Sequence, residues 1–329
     1  MSFANETPHA ALPVPLLDRE GRDVIVTIVK ATFAVASDGS LRRADVPGTV
    51  RVNDVMRAPD DPRSSALFPS DIALEKLGAD VVVVGEAVSP RKVLVMDVAV
   101  GVKKRIVPLR VHGPRVYYDG VIGVAIGPAA PFERVPIAYE NAYGGMSDDM
   151  SVVEGANPSG VGVAKSASDL VGRRAPQIEH PERPHTSAAD RHAPVGYGSI
   201  LSHWSPRKEH AGTFDDRWRA ARMPLLPEDY EARFGNVAHP SLRFDEGLSP
   251  GDPVRVLGMS LEPFAFVLPA IPVAVRARYD GGEREIARPS IDTVIVLPGE
   301  RRVELVFRAA FPTGRGQRIL REIVVRNDA

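Results

Sequence analysis

The chain has 329 residues with 41 basic and 42 acidic side chains, 28 glycines, 30 prolines and no cysteine. A net charge near zero supplies no electrostatic pull toward nucleic acid or an anionic membrane surface, and the absence of thiols excludes disulfides, iron–sulfur clusters, thiolate zinc sites and a cysteine nucleophile. Gly and Pro together reach roughly 18%, against about 12% in an average chain, which points to many turns and short elements rather than a helix bundle.

The chain opens without a basic stretch followed by an apolar run, so no signal peptide is expected and the cytoplasm is the expected location. From Val24 to Phe33 both faces of a strand are apolar: Val24, Val26 and Ile28 on one side, Ile25, Val29 and Phe33 on the other. Such a strand belongs in a sheet covered on both faces. Lys30 interrupts it, either snorkelling or paired with a carboxylate, or else serving a partner site. Val81 to Val88 is a second buried run. Val93 to Val102 alternates, Lys103, Lys104 and Arg105 form a solvated hairpin tip, and Ile106 to Val111 returns.

From about Tyr139 to Pro253 the periodicity fades into Gly, Pro, Asn, Asp, Ser and His. Two short helices are predicted there, over Asp215–Arg222 and Pro227–Phe234. Tyr143, Tyr197, Trp204, Trp218 and Tyr230 are spread through this segment, so it is expected to fold onto the sheets rather than to be a disordered linker. The run Pro263 to Val275 is too short and too interrupted by proline to span a membrane. Val273 to Tyr279, the Asp280-Gly281-Gly282 turn, Ile291 to Leu297, the Pro298-Gly299 turn, Val303 to Phe307 and Ile319 to Val325 then predict an antiparallel meander with one wet face.

The expected fold is therefore mainly β, with sandwich-like antiparallel sheets from N- and C-terminal strand sets and a long irregular middle segment carrying short helices. In residues, this is a β-rich part over 1–138, the irregular segment over 139–253 and the meander over 254–329. The first and last of these can form one composite domain.

Chemistry-bearing motifs are sparse. Gly155 and Gly160 have phosphate-loop spacing, but Val161 stands where a lysine is needed, and no Gly-x-Ser-x-Gly elbow occurs. The best metal candidate is Glu179-His180-Pro181-Glu182-Arg183-Pro184-His185, yet its prolines leave nothing to turn both rings to one side. His203, His210 and His239 lie in separate loop contexts. Asp148-Asp149 and Asp215-Asp216 are adjacent pairs, the second suited to helix capping. No catalytic residue, metal ligand or cofactor site is expected. Tyr143, Trp204, Arg207, Trp218 and Tyr230 are the candidate partner-binding residues, with anchoring of the segment as their competing role.

A series of motifs in fixed order carries a resemblance. It begins with Lys30-Ala31-Thr32-Phe33, Pro69-Ser70-Asp71 and Lys76, and continues through Pro131-Phe132, Tyr139-Glu140-Asn141-Ala142-Tyr143-Gly144-Gly145 and Asn157-Pro158-x-Gly160-x-Gly162. It ends with Ile178-Glu179, Pro194-x-Gly196-Tyr197-Gly198, Trp204-x-x-Arg207, Gly212-Thr213-Phe214, Trp218, Pro224-x-Leu226-Pro227-x-Asp229-Tyr230, Phe234-x-Asn236 and Leu268-Pro269. The chain resembles domain-of-unknown-function family 2169, bacterial proteins associated with type VI secretion effectors. Residues 113–117, Leu242 and Phe307 depart from that family's pattern. The resemblance implies a non-enzymatic cytoplasmic adaptor or chaperone that binds a cognate toxin effector and helps load it onto the secretion spike, with no catalytic residues. A spike or spike-tip protein is a further possible partner; nucleic acid and membrane are not expected. Two alternatives stay open. One is a β-sandwich hydrolase using His and Asp/Glu of the middle segment, and the other is a structural component of the secretion particle.

Overall fold

In the computed structural model, which describes residues 1–314 and 319–328, the apolar run at Val24 is a 13-residue strand, Asp23–Val35. It pairs antiparallel with Arg302–Pro312 on one side and with Ala10–Leu17 on the other. Val24, Val26 and Ile28 enter one apolar cluster and Ile25, Val29 and Ala31 enter another, so both faces are covered. Ala10–Leu17 lies at the sheet edge, where Pro13 and Pro15 are tolerated because alternate backbone groups point away from the ladder.

The sheet continues from Arg302–Pro312 through Ile291–Leu297 and Ala79–Val83 to the short strand Arg243–Phe244, and Leu41–Arg43 joins beside Asp23–Val35, making seven strands. A five-stranded sheet runs in the order Ile178–Glu179, Arg105–His112, Val95–Val102, Pro253–Leu257, Phe264–Val267. A four-stranded sheet runs Ser2–Asn5, Leu320–Asn327, Val273–Tyr279, Arg284–Ala287. Val100, Leu109, Val254 and Phe264 of the second sheet and Val275, Tyr279 and Ile323 of the third share one core with Val29, Val81 and Leu305 of the first. Among the described residues the fold is mainly β and sandwich-like, without a closed barrel.

Two details differ from the expected antiparallel arrangement. First, the sheets are mixed: Ala79–Val83 runs parallel to Ile291–Leu297, and Ser2–Asn5 runs parallel to Leu320–Asn327. Parallel neighbours need long connections, and the chain between residues 83 and 291 provides one. Second, the C-terminal strands do not make a single meander. Val273–Tyr279, Arg284–Ala287 and Leu320–Asn327 form part of the four-stranded sheet, whereas Ile291–Leu297 and Arg302–Pro312 belong to the seven-stranded one. The second face of Arg302–Pro312 is not wet either. Val306 and Glu304 are buried, with Val50, Ile72 and Leu74 packed over that side of the sheet.

The middle segment is folded onto the sheets. Tyr197 is buried, donates its hydroxyl to the Val107 carbonyl at 2.7 Å, and accepts the Val83 amide on its own carbonyl. The helix α1 (Asp216–Ala221) forms where Asp215 caps it by accepting the Trp218 amide at 2.8 Å. Residues Pro227–Phe234 do not form the second expected helix; a 3₁₀ turn covers only Ala232–Gly235. The Asp229 carboxylate instead ties the stretch across to Thr213, accepting its amide at 2.9 Å and its hydroxyl at 2.7 Å. So short a helix has little stability of its own to set against that tie. Among the described residues no helix is long and apolar enough to cross a membrane.

Lys30 is fully buried, and of its two readings the structure supports pairing. Its Nζ lies 2.5 Å from Asp71 and 3.3 Å from Glu304, and donates to the Thr49 carbonyl at 3.2 Å. Arg51 and Arg302 each reach Glu304 at 2.6 Å. The cluster clamps the 48–74 segment over the sheet. Burial alone would raise the Glu304 pKa, but the Arg51 hydrogen bond and the charges of Lys30, Arg51 and Arg302 outweigh it and hold the carboxyl below its ordinary range. Lys30→Met leaves Asp71 and Glu304 buried with less compensation, and is expected to cost about 3–5 kcal/mol. Urea unfolding measures this, and a loss below about 1 kcal/mol would show that the cluster does not hold the cover.

Candidate functional site

The five aromatic and arginine candidates separate on folding. Trp204 is buried, meets the Tyr139 ring edge-on at 5.4 Å, and packs with Ala66, Ile200 and Leu201. Arg207 spends its guanidinium on the carbonyls of Phe234 and Ile200, both at 2.9 Å. Tyr230 is buried beside Phe234, their centroids 5.8 Å apart. Tyr143 is buried and stacks on His185 at 5.0 Å. These four are spent on contacts inside the fold, Arg207 and Tyr143 within the segment itself, and offer a partner little surface. For them the anchoring role is the one their burial supports.

Trp218 differs. Its indole N–H donates to the Leu225 carbonyl at 2.8 Å, but the ring is only half-buried and packs against Phe214 with centroids 4.8 Å apart. Phe214 is 52% exposed and Met223 is 60% exposed. A shallow cleft of about 330 Å³ opens beside them, lined by Thr213, Asp215, Arg217, Trp218, Arg222 and Asp229. The Asp215 cap and the Asp229–Thr213 tie fix this aromatic lobe in place. Phe214, four residues before Trp218, belongs to this lobe although its sequence context does not mark it as a contact residue.

The run from Glu179 to His185 does not converge as metal ligands. Glu179 and His180 are consecutive at the end of a strand, so they project to opposite sides. Buried Glu179 accepts from His112 Nε2 and Arg115 Nη2, both at 2.7 Å, and from the His185 amide at 2.9 Å. The Arg115 guanidinium thus occupies the place a cation would take. Among the described residues no group of three His, Asp or Glu side chains is arranged to hold a metal ion. Burial would raise the Glu179 pKa, yet these hydrogen bonds and the Arg115 charge bring it down to about 2. Nothing in the local sequence of Arg115 announces a partner 64 residues away.

His180 points instead into a cleft of about 500 Å³ with Arg105, His239 and Ser241. There Ser241 Oγ donates to His239 Nδ1 at 2.7 Å, and His239 Nε2 faces the Pro194 carbonyl at 3.3 Å. The pair resembles a nucleophile and its base, but His239 Nδ1 also accepts the Ser241 amide as the cap of the turn Pro240–Leu242. Burial pushes His239 down to about 4, with Arg243 adding to the shift and the Pro194 carbonyl opposing it. A general base must stabilise its own imidazolium, and here the group behind the ring is a neutral carbonyl rather than a carboxylate. His203 accepts the Trp204 indole N–H at 3.1 Å, and His210 pairs with Glu231 at 2.8 Å. Asp148 is taken by Arg173 and Asp149 by Lys165, both at 2.7 Å.

These features define a β-sandwich-like protein whose irregular segment is fastened by buried aromatics and presents a small exposed aromatic lobe. The chain belongs to the family DUF2169, described as an uncharacterized protein conserved in bacteria, whose model matches residues 20–308. Searches of the curated proteins and of the solved structures find no match.

His185 supplies a pH test. The ring is buried, and neither nitrogen has a hydrogen-bond partner among the described residues. Burial, His192 and Arg115 lower its pKa to about 4, against the opposing charges of Glu179 and Asp190. The unfolded chain therefore binds a proton that the folded chain refuses between about pH 6.5 and 4, so stability falls on acidification through that window. The Glu179 contribution is lost lower, from about 4.5 toward 2. His185→Phe preserves the stacking on Tyr143. It should leave stability at pH 8 within about 1.5 kcal/mol and make the fall in melting temperature between pH 6.5 and 4 shallower without abolishing it, because His239, also held near 4, contributes in the same window. An unchanged profile would assign that pH dependence to other groups.

Proposed function

We propose that this protein is a non-enzymatic adaptor or chaperone that binds a cognate toxin effector of type VI secretion in the cytoplasm and aids its loading onto the secretion spike. The family resemblance is the source of the effector and the spike. The observation that carries the binding reading is the exposed Phe214–Trp218–Met223 lobe, because tightly held aromatics left in solvent are the side chains that dominate interface energetics once covered. Holding the lobe rigid before binding lowers the entropy that association must overcome.

Pull-down of the tagged protein from its native host, with mass-spectrometric identification of what co-purifies, tests the reading. Phe214→Ala and Trp218→Ala should each weaken effector binding by tenfold or more, a hot-spot loss of about 2 kcal/mol, with the melting temperature within a degree or two for Phe214→Ala. Trp204→Ala should instead lower the melting temperature and binding together. If the Phe214→Ala, Trp218→Ala double variant binds effector at wild-type affinity, the lobe is not the contact surface.

The His180–His239–Ser241 cleft is the one observation that favours the hydrolase reading. The cap role of His239 and its neutral backing weigh against it. Ester hydrolysis by the purified protein that disappears in Ser241→Ala would reverse that judgement.

A further inference from the structure

The five-stranded sheet is left incomplete along one strand. Arg105–His112 pairs with Val95–Val102 over its whole length, but its other neighbour, Ile178–Glu179, meets it only at Arg110 and Val111. Beyond that point the chain leaves the sheet. At His180 it folds into a turn, with the Arg183 amide donating to the His180 carbonyl at 3.0 Å and the Glu182 amide donating to His180 Nδ1 at 3.2 Å. Pro181 and Pro184 lack the N–H groups that a continuing strand would need. The edge from Arg105 to Leu109 therefore has no strand beside it among the described residues.

The register fixes which backbone groups this edge presents. In an antiparallel ladder one set of alternate residues turns its N–H and C=O to one neighbour, and the intervening set turns to the other. The His112 amide donates to the Gln177 carbonyl at 2.7 Å, away from Val95–Val102, so Arg110, Pro108 and Ile106 face that way too. The Lys103 amide, donating to the Pro253 carbonyl at 3.0 Å on the far side of Val95–Val102, gives the same alternation. The Ile106 N–H and the carbonyls of Ile106 and Pro108 make no hydrogen bond among the described residues. They open onto the cleft of about 500 Å³ described above, which is lined by the whole run Ile106–Leu109 and by Val195, Gly196 and Pro240. Pro108 interrupts the row of donors, which guards the edge against open-ended pairing with other copies while leaving both carbonyls free.

We propose that this edge is the docking site for one extended, apolar segment of a partner protein, which adds a strand to the five-stranded sheet along the line that Ile178–Glu179 begins. Three hydrogen bonds define it. The Ile106 N–H donates to a carbonyl of the segment, and the carbonyls of Ile106 and Pro108 accept two of its amides. The spacing of these groups selects the occupant: positions two residues apart on a strand repeat at about 6.6 Å, and another extended backbone meets them in register. From Arg105 to Leu109 the edge runs about 13 Å, room for about four residues. Val195, Pro240 and Ile106 line the cleft with apolar surface and favour apolar side chains on the segment. The site shares no residue with the Phe214–Trp218 cleft and does not rest on the effector reading.

The test uses the full chain. A phage-displayed library of random linear nonapeptides is depleted on the Ile106→Pro variant and then selected on the wild-type chain. Pro108 faces the same edge, so proline at 106 removes only a free N–H and should leave the melting temperature within a few degrees. Apolar peptides should be enriched. By fluorescence anisotropy their synthetic forms should bind the wild-type chain at least tenfold tighter than Ile106→Pro, whereas Ile106→Ala, which keeps the N–H, should stay within threefold. Methylating alternate peptide amides should weaken binding tenfold in one register and less than threefold in the other, because only one edge of an added strand faces the sheet. The Ile106 amide should also become protected from hydrogen exchange when peptide binds. These last two measurements use the wild-type chain and decide the matter even if Ile106→Pro fails to fold. No enrichment, equal effects of methylation in both registers, or an Ile106 amide that stays exchangeable would overturn the proposal. None of those results bears on effector co-purification through the aromatic lobe, so the two readings fail separately.

Discussion

The pairing of Asp23–Val35 with Arg302–Pro312 is the constraint from which the rest of the architecture follows. Asp23–Val35 is apolar on both faces and Arg302–Pro312 buries Glu304 and Val306 on its second face, so their ladder is stable only if something covers each side. One side is covered by the five- and four-stranded sheets. The other is covered by the 48–74 segment, which sets Val50, Ile72 and Leu74 against the sheet but has little regular secondary structure to fix its position. Lys30, Asp71, Glu304, Arg51 and Arg302 supply the missing hold. A buried cluster of this kind is a weak source of net stability. Its value here is register, because it ties one central strand, its neighbour and the covering loop at a single point.

A similar division of labour explains the middle segment. It lacks the periodicity that would let it bury a face against the sheets as a regular element, so individual side chains fasten it. Tyr197 reaches a carbonyl in the five-stranded sheet, Asn236 bonds Asp80 in the seven-stranded one, and Arg207 binds two carbonyls within the segment itself. Rigidity without regular secondary structure follows, and with it the ability to project an aromatic lobe in a fixed direction.

The strands were legible because their apolar residues repeat every two positions, and α1 was legible because Asp215 stands at its cap. Pairing was not legible: Val303, Leu305 and Phe307 alternate with Arg302, Glu304 and Arg308 as they would on a wet-faced strand, and only the three-dimensional position of Lys30 and Arg51 shows why the glutamate is inside. The strand Ala10–Leu17 was hidden by its prolines, which count against a strand everywhere except at an edge. Tyr143, Trp204, Arg207 and Tyr230 looked like contact residues because aromatics outside a periodic pattern have no visible core to join. Phe214 was obscured for the same reason. Which residues share the solvent face of the five-stranded sheet depends on which strand lies beside which, and single-strand patterns do not contain that information.

The long separation between the two central strands also bears on how the chain is made. Some 266 residues lie between Val35 and Arg302. At about 5–20 residues per second, synthesis leaves the most hydrophobic strand without its central partner for roughly 13 to 53 s. During that interval it is an apolar edge in water, the kind of surface that recruits other chains. Early local structure covers only the edge that pairs with Ala10–Leu17, and premature termination anywhere before Arg302 leaves the other edge without its partner. For this fold the hazardous state is the nascent chain, and native stability gives no measure of that hazard.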